Sequence, residues 1–316
     1  MKKIAVIGEI LVEIMADTVG AGFTGLQPLT GPFPSGAPAI FVDQAARLGQ
    51  PAGIVSAVGD DDFGRVNLDR LARDGVDISA VHVDPDRPTG SAFVRYRADG
   101  SRDFVFNIRH SACGQIAMTA GAEALLAGAD HLHVMGSSLS SRGLVEMNLA
   151  AAEAVKARGG TLSFDPNLRK EMLRAPGMAE AMARFLSLTD LFLPSGAELT
   201  LLTEAQETDA AIQELLARGI AAVVHKNGAA GACYHDAARR VPVAGFAVDE
   251  VDPTGAGDCF GAAFTTLWLR GAPPDEAMTV AAAAGALAVT ARGPMEGACD
   301  MGTIRRFIAD AERDAR

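Results

Sequence analysis

Short, uninterrupted apolar runs, several of them followed by a helical pattern, constrain this chain more than any other feature. "IAVIG" (4–8), "GIVSAVG" (53–59), "HLHVMG" (131–136), "TLSFDPN" (161–167), "DLFLPS" (190–195) and "AAVVHKNG" (221–228) read as strands. Most are apolar at consecutive positions, as strands must be when helices cover both faces of their sheet. Between them, 38–48, 63–74, 142–158, 178–188, 208–218, 256–270 and 275–291 carry helical periodicity. The alternation predicts an α/β fold: a three-layer α/β/α sandwich around a mainly parallel central sheet.

Two stretches break the alternation. "SAFVRYRADGSRDFVFNIR" (91–109) has two strand-like arms about Asp99 and Gly100, a hairpin signal. Residues 17–36 are rich in Gly and Pro and lack a helical period. Together they predict a small β insertion, spanning about 11–36 and 86–109, over one edge of the sheet; a surface hairpin without a role is the plainer alternative. No repeat or linker divides the 316 residues, so one domain is expected over 1–316.

A formal charge of −11, with five lysines in the whole chain, argues against a general nucleic-acid binder. Cys113, Cys233, Cys259 and Cys299 are scattered without a CxxC pair, which fits reduced thiols in a cytoplasmic protein. Glu9 and Glu13 interrupt the apolar N-terminal run, so it reads as a buried strand rather than a signal peptide. No apolar stretch approaches the ~20 residues of a membrane span.

The chemistry concentrates in "VDPTGAGDCFGAAF" (251–264). Gly255, Ala256 and Gly257 free the backbone at the start of a helix, where N–H groups and the macrodipole attract an anion. A glycine-rich helix start with a favourable first-turn acid would look the same. A dinucleotide fingerprint is a poor fit, because the glycine spacing differs and Asp258 would repel a pyrophosphate. Beside a transferring phosphoryl group, by contrast, a carboxylate could take the proton of an acceptor hydroxyl. No Gly-Lys pair occurs, which excludes a Walker-type loop.

This segment resembles the C-terminal signature of the PfkB, or ribokinase-like, carbohydrate kinases, and the resemblance covers essentially the whole chain. "PSGAPAIFVDQAARLG" (34–49), "VGDDDFG" (58–64), "DPNLR" (165–169), "PSGAEL" (194–199) and "VVHKNGAAGA" (223–232) stand in that family's order. The resemblance implies Asp258 as catalytic base and the amides of Gly255, Ala256 and Gly257 as the hole for the γ-phosphoryl group of ATP. It implies Glu198 as organiser of Mg²⁺, and Lys226, Gly228, Gly231, Ala282 and Gly293 near the nucleotide. Asp252 and the Thr254 carbonyl would hold K⁺. The sugar would meet candidates among Glu13, Ser35, Gly36, Asn107, Arg109, Asp165, Asn167 and Arg169.

Four positions depart from the family pattern: Ser195 and Ala282 replace asparagines, Ser35 a glycine, and Ile40 an asparagine that contacts the sugar in ribokinases. Arg109 resembles an arginine with which 2-keto-3-deoxygluconate kinases meet a carboxylate. "FPSGAPAIF", "NIRHSACG" and "GPMEG" instead look like tagatose-type ketohexose kinases, so a neutral ketohexose ranks first and a sugar acid second. His131 and His133 read as structural and Trp268 as core, while His110, beside Arg109, is the one histidine suspected of touching substrate. A non-catalytic sugar or nucleotide sensor and a nucleoside kinase are the rival functions. A dehydrogenase has only "IAVIGEI" in its favour. The exposed insertion edge predicts a homodimer through the lid.

Overall fold

The computed structural model describes residues 1–99, 101–167 and 177–314; the expectations for Gly100 and Arg169 therefore lie outside the described residues. In chain order the strands are β1 (Ile4–Ile7), β2 (Leu11–Ala16), β3 (Leu29–Ser35), β4 (Ala52–Gly59), β5 (Val81–Asp84), β6 (Gly90–Tyr96), β7 (Arg102–Asn107), β8 (His131–Met135), β9 (Thr161–Asp165), β10 (Leu191–Phe192), β11 (Ala222–Lys226), β12 (Ala232–His235) and β13 (Arg240–Val243). The helices are α1 (Ala37–Arg47), α2 (Asp62–Arg73), α3 (Ala120–Ala127), α4 (Arg142–Ala157), α5 (Met178–Leu188), α6 (Glu198–Leu201), α7 (Thr208–Ala217), α8 (Ala256–Leu269), α9 (Pro274–Ala288) and α10 (Met301–Asp314). Each helix expected from the periodicity forms to within a residue or three. The sequence reading passed over α3, α6, β5, β12 and β13, whose runs are short or weakly patterned.

Among the described residues the main sheet has nine strands, ordered β13-β12-β11-β10-β9-β8-β1-β4-β5. It is parallel from β11 to β5, while β12 runs antiparallel to both its neighbours. Strand alternation divides the core by face. Ala5, Ile7, Val55, Leu132, Val134 and Phe164 point to the side covered by α3, α4, α5 and α7. Ile4, Val6, Ile54 and Val58 point to the opposite side, under α1 and α2, and α8 to α10 continue that layer. The three-layer sandwich follows, because the central strands bury both of their faces.

The same alternation sends His131 and His133 to the α1/α8 side. The two rings share the Ser163 hydroxyl at 2.7 Å each, His131 also meets Thr161 Oγ1 at 2.7 Å, and His133 stacks on Phe41. Burial drives His131 down to about 3 and His133 well below the usual imidazole range, so both rings are neutral structural members of the core. Trp268 is half-buried and packs on the third core cluster, edge-on to His131.

The insertion forms its own four-stranded sheet, β3-β2-β6-β7, which stands over the carboxyl ends of the main strands. Its central pair, β2 and β6, is parallel, and the outer strands are antiparallel to them. No described helix is long and apolar enough to cross a membrane.

Candidate active site

In the main sheet β1 sits between β4 and β8, so the chain leaves it in one direction and later returns on the other side. Ligands of open α/β sheets bind at such switch points, beyond the carboxyl ends of the strands. Here a cavity of about 1010 Å³ opens at that place. Glu9 enters it just after β1, Ser137 just after β8 and Asn167 just after β9; Glu13 and Ala92 come from the lid sheet, and Gly255 and Asp258 from the start of α8.

Gly255 caps α8 in the left-handed conformation, with φ of 83°. A Cβ there would overlap the Pro294 carbonyl and approach Ile40 Cγ2 to 3.3 Å, so the tight loop requires glycine. Gly36 is the counterpart at the start of α1, with φ of 110° and the Glu9 carbonyl where a Cβ would stand. The first-turn amides of α8 lack intrahelical partners, as at every helix start, and Asp258 stands in that turn. One face of Asp258 reaches the cavity while protein encloses the rest. That burial, with Asp165 close by, pushes its carboxyl up to about 8, against the pull of Lys226.

Several expected residues do converge. Glu13, Ser35, Gly36, Arg109 and Asn167 line the cavity with Gly255 and Asp258. Ser35 Oγ donates to Glu13 Oε2 at 3.3 Å. Burial, reinforced by Asp252, raises Glu13 to about 7, so near neutrality it exists both as carboxyl and as carboxylate. Asn167 adopts a positive φ of 39°, and its amide donates to Asp165 Oδ1 at 3.2 Å. Ile40 forms part of the wall where ribokinases are expected to offer an amide.

Other candidates stand outside the cavity lining. Asp165, expected on the sugar, is sealed in a buried ion pair with Lys226, which was expected to approach the nucleotide. The pair lies beneath the first turn of α8, with Lys226 Nζ 3.8 Å from where a Cβ on Gly257 would be. Two charges buried this deeply at the strand ends neutralise each other in the pair. Asn107 is exposed on β7, donates to Ser91 Oγ at 3.4 Å, and does not line the cavity. His110 also stands outside the cavity lining. Ala282 packs in the core of α9. Gly231 serves the β11–β12 connection, where a Cβ would overlap the Val243 carbonyl, whereas Gly228 in the same turn faces open space. Gly293 donates its amide to Asp252 Oδ2 at 3.0 Å and so braces the start of the loop before α8.

The metal candidates are separate from one another. Among the described residues no three His, Cys, Asp or Glu side chains group to hold an ion. Mg²⁺ needs no such cage, because it keeps its waters and takes one or two carboxylates with phosphate oxygens. Glu198 fits that demand: its Oε2 accepts the Ser195 amide at 2.7 Å, in a loop that pairs with the end of β11. At Asp252, Oδ1 accepts Tyr96 Oη at 2.9 Å, the Thr254 amide at 3.0 Å and Thr254 Oγ1 at 2.8 Å. Among the described residues only the Gly293 amide reaches Oδ2, so that oxygen retains acceptor capacity for a monovalent cation.

The sequence reading missed Glu9 and Arg102. Glu9 lines the cavity and accepts Ser138 Oγ at 2.9 Å; in the sequence it signalled only an interrupted apolar run. Arg102 comes from β7, and its Nη1 donates to Thr254 Oγ1 at 2.6 Å. Nothing local in "DGSRDF" marks it, since the contact spans 152 positions.

The family model described as pfkB family carbohydrate kinase matches residues 1–300. A fructokinase of Klebsiella pneumoniae is 33% identical over 304 residues, covering 93% of this chain and 95% of its own. An Escherichia coli structure named as a candidate ribokinase II in complex with ATP and Mg²⁺ is 47% identical, with a TM-score of 0.93 over 98% of this chain and 100% of that one. A double mutant of the Vibrio cholerae O395 fructokinase, bound to fructose, ADP and potassium, is 29% identical, with a TM-score of 0.83 over 98% of both chains.

Proposed function

The chain belongs to the pfkB family of carbohydrate kinases, phosphotransferases with an alcohol group as acceptor, and from that premise we propose that it transfers the γ-phosphoryl group of ATP to a primary hydroxyl of a ketohexose. The observation that carries the reading is Asp258 in the first turn of α8, open to a cavity whose inner wall bears Glu9, Glu13 and Ser35. Those side chains are suited to sugar hydroxyls. The carboxylates would oppose a second negative charge at the same end.

In this reading Asp258 takes the proton of the acceptor hydroxyl as the new P–O bond forms. A carboxyl tuned to about 8 is a stronger base than an ordinary aspartate. The amides of Gly255, Ala256 and Gly257, with the α8 dipole, receive the charge on the transferring group. Glu198 and bound waters would hold Mg²⁺, which would supply charge neutralisation at the phosphates. Asp252 and the Thr254 carbonyl would hold K⁺ below the loop. The lid sheet excludes water, which would otherwise compete as acceptor.

A second reading has one observation in its favour: Arg109 lines the cavity from the lid side and could pair with the carboxylate of a sugar acid. The homologous fructokinases favour the neutral ketohexose and, among ketohexoses, draw attention to fructose beside tagatose. Exposed Val105 and Phe106 on β7 support self-association through the lid, and four unpaired cysteines accord with a cytoplasmic setting.

The test is ADP release with MgATP over fructose, tagatose, 2-keto-3-deoxygluconate, ribose and adenosine, with Asp258→Asn as control. Turnover on a ketohexose, lost in the variant, is the expected result. Preference for the sugar acid would move the assignment to the Arg109 reading. Silence on all five with ATP still bound would favour a sensor.

A further inference from the structure

Tyr96 and Arg102 are direct cross-strand partners in the lid hairpin, one at the end of β6 and the other at the start of β7. Both side chains turn toward the loop that carries the anion hole. Tyr96 Oη donates to Asp252 Oδ1 at 2.9 Å, and Arg102 Nη1 donates to Thr254 Oγ1 at 2.6 Å. Thr254 Oγ1 in turn donates to Asp252 Oδ1 at 2.8 Å, so the two lid residues and the two loop residues form one hydrogen-bonded unit. Arg102 also lies over the Phe104 ring, 5.7 Å from its centroid, and lines the cavity beside Glu13 and Asp258.

We infer that Tyr96 and Arg102 are positioning residues, through which the lid over the sugar sets the geometry of the Asp252–Gly257 loop. The Gly255 and Gly257 backbone is loose by composition, and glycine forfeits more conformational entropy on ordering than any other residue. Something must hold this loop in the conformation that aims its amides at the phosphoryl group. Asp252 and Thr254 begin the loop, and two of the hydrogen bonds that hold them come from a separate sheet, whose inner surface lines the cavity. A sugar that seats the lid therefore also seats the anion hole. The inference rests on the kinase reading but on no particular sugar.

The experiment compares Tyr96→Phe, Arg102→Met, Arg102→Lys and the Tyr96→Phe/Arg102→Met double variant with the wild type, using whichever acceptor of the panel the wild type turns over. If no acceptor is turned over, the kinase reading itself has failed and is separated from this one. The expected result is a kcat roughly tenfold lower in Tyr96→Phe and in Arg102→Met, with KM for the sugar within about threefold of wild type. Arg102→Lys should recover most of the loss, because an ammonium can still donate to Thr254. The double variant should lose little more than the worse single one, as expected of members of one unit. A rise in KM for the sugar with kcat retained would make Arg102 an ordinary sugar contact and overturn the inference. So would multiplying losses in the double variant, or rates within twofold of wild type in both single variants.

Discussion

Replacing Asp258 with asparagine should abolish turnover while making the folded protein more stable, and the gain should depend on pH. The folded carboxyl titrates at about 8 instead of the 3.8 of an ordinary aspartate, a rise of roughly four units that begins with burial. Between these values the native state holds a proton that the unfolded chain has released, so the wild type loses stability as pH rises through that window. At about 1.4 kcal/mol per unit the ceiling is about 6 kcal/mol above pH 8, against about 1.5 kcal/mol at pH 5. The open cavity face lets solvent screen the charge, which brings the expected gain at pH 8.5 to about 2–3 kcal/mol. Asparagine carries no charge and has no such slope. Urea unfolding of both proteins at pH 5 and pH 8.5 measures the difference, and the advantage of Asp258→Asn should widen between them. An advantage that is absent, or the same at both pH values, would refute the claim that burial strains this carboxylate.

Three further outcomes follow from the same geometry. Because the base acts when deprotonated, kcat/KM should climb about tenfold per unit below pH 8 and level off above it; a flat profile from pH 6 to 9 would remove Asp258 from the role. Gly255→Ala forces a Cβ onto the Pro294 carbonyl at a φ of 83°, so kcat should fall about a hundredfold with the loss of anion-hole alignment, and an unchanged kcat would show that the loop tolerates another path. Lys226→Met leaves Asp165 buried without its partner and should cost about 3–5 kcal/mol in denaturant unfolding, much of it recovered by adding Asp165→Asn. A single-variant loss below about 1 kcal/mol would mean that the pair is reached by water.

Much of the site was legible because its groups are local in the chain. The strand runs had to be buried on both faces, and the glycines at 255 and 257 with Asp258 lie within four residues, so helix-start geometry and chemistry could be read together. Arg109, Glu13 and Ser35 were also foreseeable as lid and strand-end residues that reach the cavity. Asp165 and Lys226 each look like a ligand residue in the sequence alone. Sixty-one positions apart, they meet as an ion pair only because the sheet sets the ends of β9 and β11 on either side of β10. Asn107, in the outer strand β7, is exposed, because the orientation of side chains in such an arm is set by the sheet it joins.

What the sequence determined by itself was therefore the α/β layering, the lid insertion and the glycine-rich loop with Asp258, because apolar period, glycine placement and charge type act over a few residues. Tertiary structure alone decided which charges face the cavity and which neutralise each other. It also decided that Tyr96 and Arg102 should brace a loop more than 150 positions away. Hydrogen bonds and ion pairs of that kind depend on where two sheets meet, and no local pattern encodes the distance between them.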